Sequence, residues 1–244
     1  MAIGRSWDPY LTARDHEHLA ATGWSKRLPR GFGSTPVCLV IDDYYSVLGL
    51  EREPIMESIK KWPMSCGLEG WAAIDKTVEL LRAARANDVQ IIYAHGMEGG
   101  FVPWGRDKKR DLLGHLPAEE RAMANVIVDE IAPQSGDLVI QKAAASAFHG
   151  TPLLFHLNYY GIDTVVACGE TTSGCVRASV VDGATFRYRM GVVEECTFDR
   201  TEASHYINLF DMNQKYADVV SLGTAVEYFD QIGAKKGIRQ EAVV

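Results

Sequence analysis

Short apolar runs alternate with longer amphipathic stretches from about residue 36 to the end of the chain. The runs are rich in β-branched residues and end at polar positions, which is typical of strands that are buried on both faces. Six strands are predicted, at 37–42 (VCLVID), 89–96 (VQIIYAHG), 137–142 (DLVIQK), 163–169 (DTVVACG), 192–196 (VVEEC) and, as a shorter run, 217–222 (ADVVSL).

The stretches between these runs have the spacing of helices that pack one face on a core. Helices are predicted over 72–88, 151–162, 173–191, about 201–215 and near 224–232. Gly161 and Gly191 are interpreted as the stops of the second and third of these helices. Strands that alternate with helices predict an α/β fold with three layers (α/β/α), built on a mainly parallel central sheet of five or six strands.

The first 35 residues differ from the rest, since they are polar and contain Pro9, Pro29 and the segment RGFGSTP. We predict an irregular N-terminal arm over 1–35, packed on the domain or on a neighbouring subunit. The remaining residues, 36–244, show no repeat or low-complexity linker and are predicted to form a single domain.

Charge and cysteine content exclude several classes of protein. The net charge of −7 and a pI of about 5.5 provide no basic field for nucleic acid. The uncharged stretch 143–162 contains Gly150, Pro152 and two histidines, so a loop and a helix are predicted there and no membrane span. Five cysteines without a CxxC pair or a signal peptide indicate free thiols in a cytoplasmic protein.

Three kinds of reactive side chain follow the predicted strands. The first strand ends in Asp42 and Asp43, the third ends in Lys142, and the fourth leads through ETTSG to Cys175. Ligands bind beyond the carboxyl ends of strands in open parallel sheets, so an acid, an amine and a thiol are expected to converge there. Taken singly, these residues could be a helix cap, a solvent-facing lysine and an inert core thiol. Their joint placement favours a catalytic site.

The position of Cys175 favours a nucleophile. Thr172 or Ser173 could cap the following helix and place the thiol in its first turn, where the helix dipole favours a thiolate. Lys142 would lower the thiol pKa further, a carboxylate could accept the proton, and free N–H groups could bind an oxyanion. This combination points to acyl transfer.

The segments CLVIDD, IQKAAASAFHGTPL and 164–200 resemble the isochorismatase-like cysteine hydrolases, in particular their N-carbamoylsarcosine amidohydrolase branch. The resemblance covers about residues 36–230 and implies the fold of that family. It implies a catalytic triad of Asp42, Lys142 and Cys175, and a cis peptide between Glu170 and Thr171. It also implies an oxyanion hole formed by the N–H groups of Thr171 and Cys175, and assembly as a homodimer or homotetramer.

Two features separate this chain from other branches of that family. Isochorismatases lack the cysteine, so Cys175 argues against cleavage of a vinyl ether. Nicotinamidases carry an acid and histidine metal site, whereas the corresponding stretch YAHGMEGGFVPWG offers only His95. No metal and no cofactor are therefore expected. Asp43 and Tyr44 stand where relatives often have Met-Gln, which could alter the site.

Substrate-binding candidates surround these groups. Arg200 matches an arginine that, in the resembled branch, is implicated in holding the substrate carboxylate. The alternative is a surface arginine paired with Asp199 or Glu202. Thr171 and Thr172 could donate to the same carboxylate.

Aromatic residues could enclose a small pocket, although such positions are as often part of the core. The candidates are Tyr44, Trp104 and Phe148. His149 and His205 are predicted to be structural or subunit-contact residues, since the resembled family uses the aspartate as base. Arg177 is predicted to point away into an ion pair.

These patterns predict a metal-free cysteine amidohydrolase for a small linear amide or ureide that carries a carboxylate, with ammonia released through a thioester. Substrates of the N-carbamoylsarcosine type rank first and maleamate-type half-amides second. A catalytically silent binding protein on the same fold is the further alternative. A nucleotide-binding protein is disfavoured, since DDYYSVLGLE after the first strand lacks GxGxxG.

Overall fold

A six-stranded parallel sheet forms the centre of the protein. The structure is a computed structural model that describes residues 4–26, 28–96 and 112–241, with side chains described up to residue 236. The strands are β1 Pro36–Ile41, β2 Gln90–Gly96, β3 Leu138–Lys142, β4 Thr164–Glu170, β5 Arg189–Phe198 and β6 Asp218–Val220. Their order is β3-β2-β1-β4-β5-β6, and each of the five neighbouring pairs is parallel.

Helices cover both faces of this sheet. They are α1 Ala13–Thr22, α2 Ile55–Ser58, α3 Gly67–Ala86, α4 Ala118–Met123, α5 Leu153–Tyr159, α6 Arg177–Thr185, α7 Glu202–Lys215 and α8 Leu222–Glu241. Cys38 and Val40 of β1 pack with α3 and α8, whereas Leu39 and Ile41 pack with α5, α6 and α7. The predicted three-layer α/β/α fold is therefore confirmed. None of the helices in the described ranges is long and apolar enough to cross a membrane.

The strand order creates a crevice beside β1. Going along the chain, β2 and β3 extend the sheet on one side of β1, and β4 begins the other side. The two strands that diverge in this way are β1 and β4, which pair in register from Pro36 to Ile41. Such a switch point is where open parallel sheets place their ligands, and it lies beside the residues that follow β1 and β4.

The N-terminal arm is partly helical, so the prediction of an irregular segment was wrong. Thr12 and Asp15 form a reciprocal capping box at the start of α1, and Gly23 ends the helix with φ 77°. The arm packs on its own domain: Trp7 is buried and lies 6.3 Å from Phe210 of α7, between ring centroids. The division of domains at residue 36 stays a prediction.

The helix predicted over 173–191 is shorter than expected. It ends at Thr185, because Arg187 adopts φ 73° and reverses the chain before β5. Arg187 occupies the left-handed position after the helix that glycine most often fills. Gly191, interpreted as the helix stop, lies inside β5, where an added Cβ would come within 2.9 Å of the Phe32 ring.

Candidate active site

The three predicted catalytic residues lie at the carboxyl end of the sheet. Asp42 directly follows β1 and Lys142 is the last residue of β3. Cys175 lies in a single turn of π-helix, Thr172–Val176, between β4 and α6. The topology thus brings residues from three strands to one edge, as the sequence pattern predicted.

Lys142 connects the other two members of this group. Its Nζ lies 2.7 Å from Asp42 Oδ2 and 3.2 Å from Cys175 Sγ, and it donates to the carbonyl of Ala144 at 3.3 Å. Lys142 is 5% exposed and Asp42 2%, so this ion pair is almost fully removed from water. An ammonium with three acceptors has a fixed position, which lets it act on both the acid and the thiol.

The backbone also fixes Asp42. Its N–H donates to Ala94 O at 2.9 Å and its carbonyl accepts from Tyr44 N at 3.0 Å. Asp42 has φ 58°, a left-handed conformation that is uncommon for a residue other than glycine and is often found at functional sites. Oδ1 is buried and has no hydrogen-bond partner among the residues that the structure describes. This oxygen is available as a proton acceptor.

Burial reverses the expected pKa of Cys175. Burial raises the pKa of this thiol to about 12, the charge of Asp42 raises it as well, and Lys142 opposes both. Lys142 thus lowers the thiol pKa as predicted, but burial outweighs it, so the predicted thiolate is disfavoured. Burial also raises the pKa of Asp42, although Lys142 counteracts it, which makes this carboxylate a stronger base. For Lys142, burial favours the neutral amine, but Asp42 and Cys175 outweigh it and raise the pKa.

The chain turns tightly between β4 and Cys175. The peptide between Glu170 and Thr171 is cis, as the resemblance implied. Gly169 has φ 108°, and an added Cβ would lie 2.1 Å from the carbonyl oxygen of Ile41. Only glycine permits this close approach of β4 to the end of β1. The turn that leads to Cys175 therefore begins close to the end of β1, which Asp42 follows.

The residues of this turn have hydrogen-bond partners other than those predicted. Thr172 does not cap the helix: its hydroxyl donates to Phe198 O at 3.0 Å and lies 2.7 Å from His205 Nδ1. Its position in the core separates it from a substrate carboxylate. The predicted cap is replaced by Asp199, whose carboxylate accepts from Ser173 N at 2.8 Å. His205 is thus a structural partner of this turn.

Comparison with known proteins identifies the group to which this site belongs. Residues 68–224, more than half of the chain, match the isochorismatase domain. The chain belongs to the isochorismatase family. It is 33% identical to the maleamate amidohydrolase of Pseudomonas putida, covering 84% of this chain and 90% of that protein. It is 31% identical to the N-carbamoylsarcosine amidase of Arthrobacter sp., covering 86% and 76% respectively.

A solved structure supports the fold. The cysteine hydrolase of Pseudomonas syringae pv. phaseolicola superposes with a TM-score of 0.70 at 19% identity, covering 84% of this chain and 97% of that one.

The family and the two relatives together give the class of activity. This chain is an isochorismatase-family amidohydrolase that acts on carbon–nitrogen bonds other than peptide bonds.

Arg200 lies next to the turn of this isochorismatase-family site, and its partner is one that the sequence analysis missed. Its Nη2 lies 2.6 Å from Glu170 Oε1, Nη1 donates to Thr171 Oγ1 at 3.3 Å, and Nε donates to Met64 O at 3.1 Å. The guanidinium of Arg200 therefore pairs with Glu170, in place of the alternative partners Asp199 and Glu202. The position of Glu170 at the end of a buried strand was the available signal.

The three aromatic residues predicted to enclose a pocket lie in different surroundings. Tyr44 is half-buried beside the site, where burial and the charges of Asp42 and Glu170 raise its pKa. Phe148 is in the core, with its ring centroid 5.6 Å from that of Phe186, so it is not assigned to the pocket wall. Trp104 lies outside the described residues.

Asp43, which follows Asp42, is a second buried acid at the end of β1. It is 2% exposed, and neither carboxylate oxygen has a hydrogen-bond partner within the described ranges. Burial raises its pKa well above the ordinary value, and the negative charges of Glu170 and Asp42 add to the effect. The fold therefore favours the neutral form of Asp43, because an unpaired buried carboxylate is strongly disfavoured.

The remaining polar candidates have structural partners or are exposed. Arg177 points away and pairs with Asp211 at 2.7 Å, as predicted. His149 is exposed. Over residues 4–26, 28–96 and 112–241, no cluster of three or more histidine, cysteine or acidic residues has the arrangement of a metal site.

Proposed function

We propose that this amidohydrolase cleaves a small linear amide or ureide that carries a carboxylate, through a thioester on Cys175. The observation that carries the proposal is the contact of Lys142 Nζ with both Asp42 Oδ2 and Cys175 Sγ, at 2.7 and 3.2 Å. An acid, an amine and a thiol in contact supply a base, a charge partner and a nucleophile.

Asp42 starts the reaction by taking the thiol proton on its free Oδ1. The sulfur forms a bond to the substrate carbonyl carbon, and the carbonyl electrons move to oxygen. The protonated Asp42 then gives its proton to the leaving nitrogen, the carbon–nitrogen bond breaks, and ammonia departs to leave a thioester. Asp42 then deprotonates a water molecule, which attacks the thioester carbon and breaks the carbon–sulfur bond. The proton on Asp42 passes to sulfur, so the thiol is regenerated and the acid product leaves as a carboxylate, or as a carbamate when the substrate is a ureide.

The raised pKa values of Cys175 and Asp42 suit this order of reaction steps. A thiol whose pKa is about 12 needs a base in contact, and the raised pKa of Asp42 reduces the difference between donor and acceptor. Lys142 stays charged and offsets the negative charge, first on Asp42 and then on sulfur. Because the group is buried, these charges act through a medium less polarisable than water, which strengthens them.

Backbone N–H groups of Thr171 and Cys175 are proposed to hold the oxyanion. Both belong to the turn that carries the nucleophile, where Thr171 O already accepts from Gly174 N at 2.8 Å and from Val176 N at 3.2 Å. These two bonds keep the turn compact around the sulfur. Loss of one oxyanion donor in such sites costs about 3–4 kcal/mol of transition-state stabilisation.

Arg200 is proposed to bind the carboxylate of the substrate, with Thr171 and Tyr44 beside it. A guanidinium forms paired hydrogen bonds with a carboxylate, and that of Arg200 is held by contacts to Glu170 and Met64. Two substrate types follow from the relatives, N-carbamoylsarcosine and maleamate. The maleamate type has the support of a relative matched over 90% of its length, against 76% for the N-carbamoylsarcosine amidase.

Ammonia release from a panel of amides tests the proposal. The panel contains N-carbamoylsarcosine, maleamate, the diamide of maleate and nicotinamide, and we expect turnover of at least one of the first two. Cys175→Ala abolishes it, whereas Cys196→Ala, which removes a buried thiol of the core, serves as the matched control and retains it. Substantial turnover by Cys175→Ala would remove Cys175 as the nucleophile. Nicotinamide as the best substrate would contradict the proposed substrate class.

A further inference from the structure

Glu170 and Arg200 form a second ion pair beside the catalytic group. Glu170 Oε1 accepts from Arg200 Nη2 at 2.6 Å and from Thr171 Oγ1 at 2.5 Å. The Glu170 side chain is 4% exposed and that of Arg200 is 38% exposed. The guanidinium that is proposed to receive the substrate carboxylate is therefore already paired, on its buried side, with a carboxylate of the protein.

Negative and neutral groups surround Glu170 on its other sides. Burial raises the pKa of Glu170 to about 7, Asp42 and Asp199 act in the same direction, and Arg200 and Thr171 act against it. The remaining ionisable groups that face Glu170 are Asp43 and Tyr44 after β1, and Cys66 before α3. Arg200 is thus the main cation that stabilises the charged form of Glu170.

A substrate carboxylate at Arg200 would change this balance. Two carboxylates would then share one guanidinium, with Asp42 and Asp199 close by. Like charges that share a site cannot both remain ionised at low cost, so one of them takes a proton. The substrate carboxylate lies on the exposed side of Arg200 and Glu170 on the buried side, so the proton goes to Glu170.

We propose that Glu170 is a positioning residue that takes up one proton from solvent when an anionic substrate binds at Arg200. This inference rests on the proposed function. Ionised Glu170 holds the empty guanidinium in place, and protonated Glu170 leaves the full charge of Arg200 to the substrate. The site therefore selects monoanionic amides and binds them more weakly as the pH rises. A neutral amide would show no such dependence.

The pH dependence of KM tests this inference. For the anionic substrate, KM of the unmodified enzyme is expected to rise about fifteenfold from about pH 7 to about pH 8.5, because each pH unit above the pKa of free Glu170 costs up to a factor of ten. KM for the diamide of maleate stays within about twofold over the same range. Glu170→Gln, which keeps the shape and the acceptor, makes KM for the anion independent of pH. Glu202→Gln removes an exposed carboxylate that bonds Tyr10 and is the matched control.

Calorimetry gives a second measurement that needs no change at Glu170. Cys175→Ala is titrated with whichever of maleamate and N-carbamoylsarcosine the unmodified enzyme hydrolyses, in buffers of different ionisation enthalpy, and the slope counts the protons taken up. We expect close to one proton per site at about pH 8.5 and about half at pH 7. No proton uptake, or a KM that is flat with pH in an enzyme that hydrolyses the anion, overturns the role of Glu170 alone. Absence of any turnover of carboxylate amides instead overturns the proposed function.

Discussion

Replacing Asp42 by Asn is expected to make the thiol more reactive and the enzyme inactive. The charge of Asp42 raises the pKa of Cys175, whereas Lys142, 3.2 Å from the sulfur, lowers it. Without Asp42 the buried ammonium has no carboxylate partner, and a thiolate at Cys175 becomes its counter-ion. The thiol pKa should then fall below about 12, although burial, the largest cause of its rise, remains.

The size of the effect follows from the ionised fraction. At about pH 8, a thiol of pKa about 12 is about one part in ten thousand thiolate, and each unit by which the pKa falls raises that fraction about tenfold. Alkylation by iodoacetamide, measured by mass spectrometry on the peptide that contains Cys175, should accelerate by about tenfold or more in Asp42→Asn. Ammonia release should disappear, because no group is left to carry the proton from sulfur to nitrogen.

Asp43→Asn is the matched control for this experiment. It alters the adjacent residue, which is neutral in the fold, so it removes no charge and should leave the alkylation rate of Cys175 nearly unchanged. Equal or slower alkylation in Asp42→Asn would refute the assignment of Asp42 as a group that raises the thiol pKa. Retained turnover in Asp42→Asn would refute its role as base.

Three further changes probe the buried charges. Lys142→Met should cost about 3–5 kcal/mol in denaturant unfolding, because it leaves the Asp42 carboxylate buried without a cation; unchanged stability would contradict this. Because the pKa of Asp43 is raised in the fold, the unmodified protein loses stability as the pH rises from about 5 to 8, whereas Asp43→Asn does not. The melting temperature of Asp43→Asn should therefore increase relative to that of the unmodified protein over this range, and a constant difference would refute the buried neutral acid. Arg200→Lys should raise KM about tenfold or more for carboxylate amides but not for the diamide; equal effects on both would exclude carboxylate binding.

The fold and the catalytic group were predictable because both depend on local patterns. Runs of β-branched residues mark strands that are buried on both faces, and a parallel sheet places all their carboxyl ends at one edge. Asp42, Lys142 and Cys175 each stand at or just after such an end, so their proximity follows from topology. Topology left Asp42 and Asp43 as alternatives, and the choice of Asp42 rested on the resemblance to a known family.

The electrostatics of the site could not be obtained in the same way. The helix position and the charge of Lys142 favour a thiolate at Cys175, yet burial outweighs them, and burial depends on how distant segments pack. The partner of Arg200 is likewise a contact across 30 positions of the chain, with Glu170. The end of the helix predicted over 173–191 was wrong for a related reason. Arg187 adopts the left-handed conformation after the helix, at a position where the sequence has no glycine to indicate it.

Trapping of the acyl enzyme tests the role of Cys175 most directly. The enzyme is mixed with maleamate, or with N-carbamoylsarcosine if that is the better substrate, quenched with acid during turnover, and digested for mass spectrometry. We expect the peptide that contains Cys175 to gain the mass of the substrate minus ammonia, and the adduct to be absent in Cys175→Ala. An adduct on another residue, or turnover by Cys175→Ala with no adduct anywhere, would contradict attack by the thiol that Lys142 holds beside Asp42.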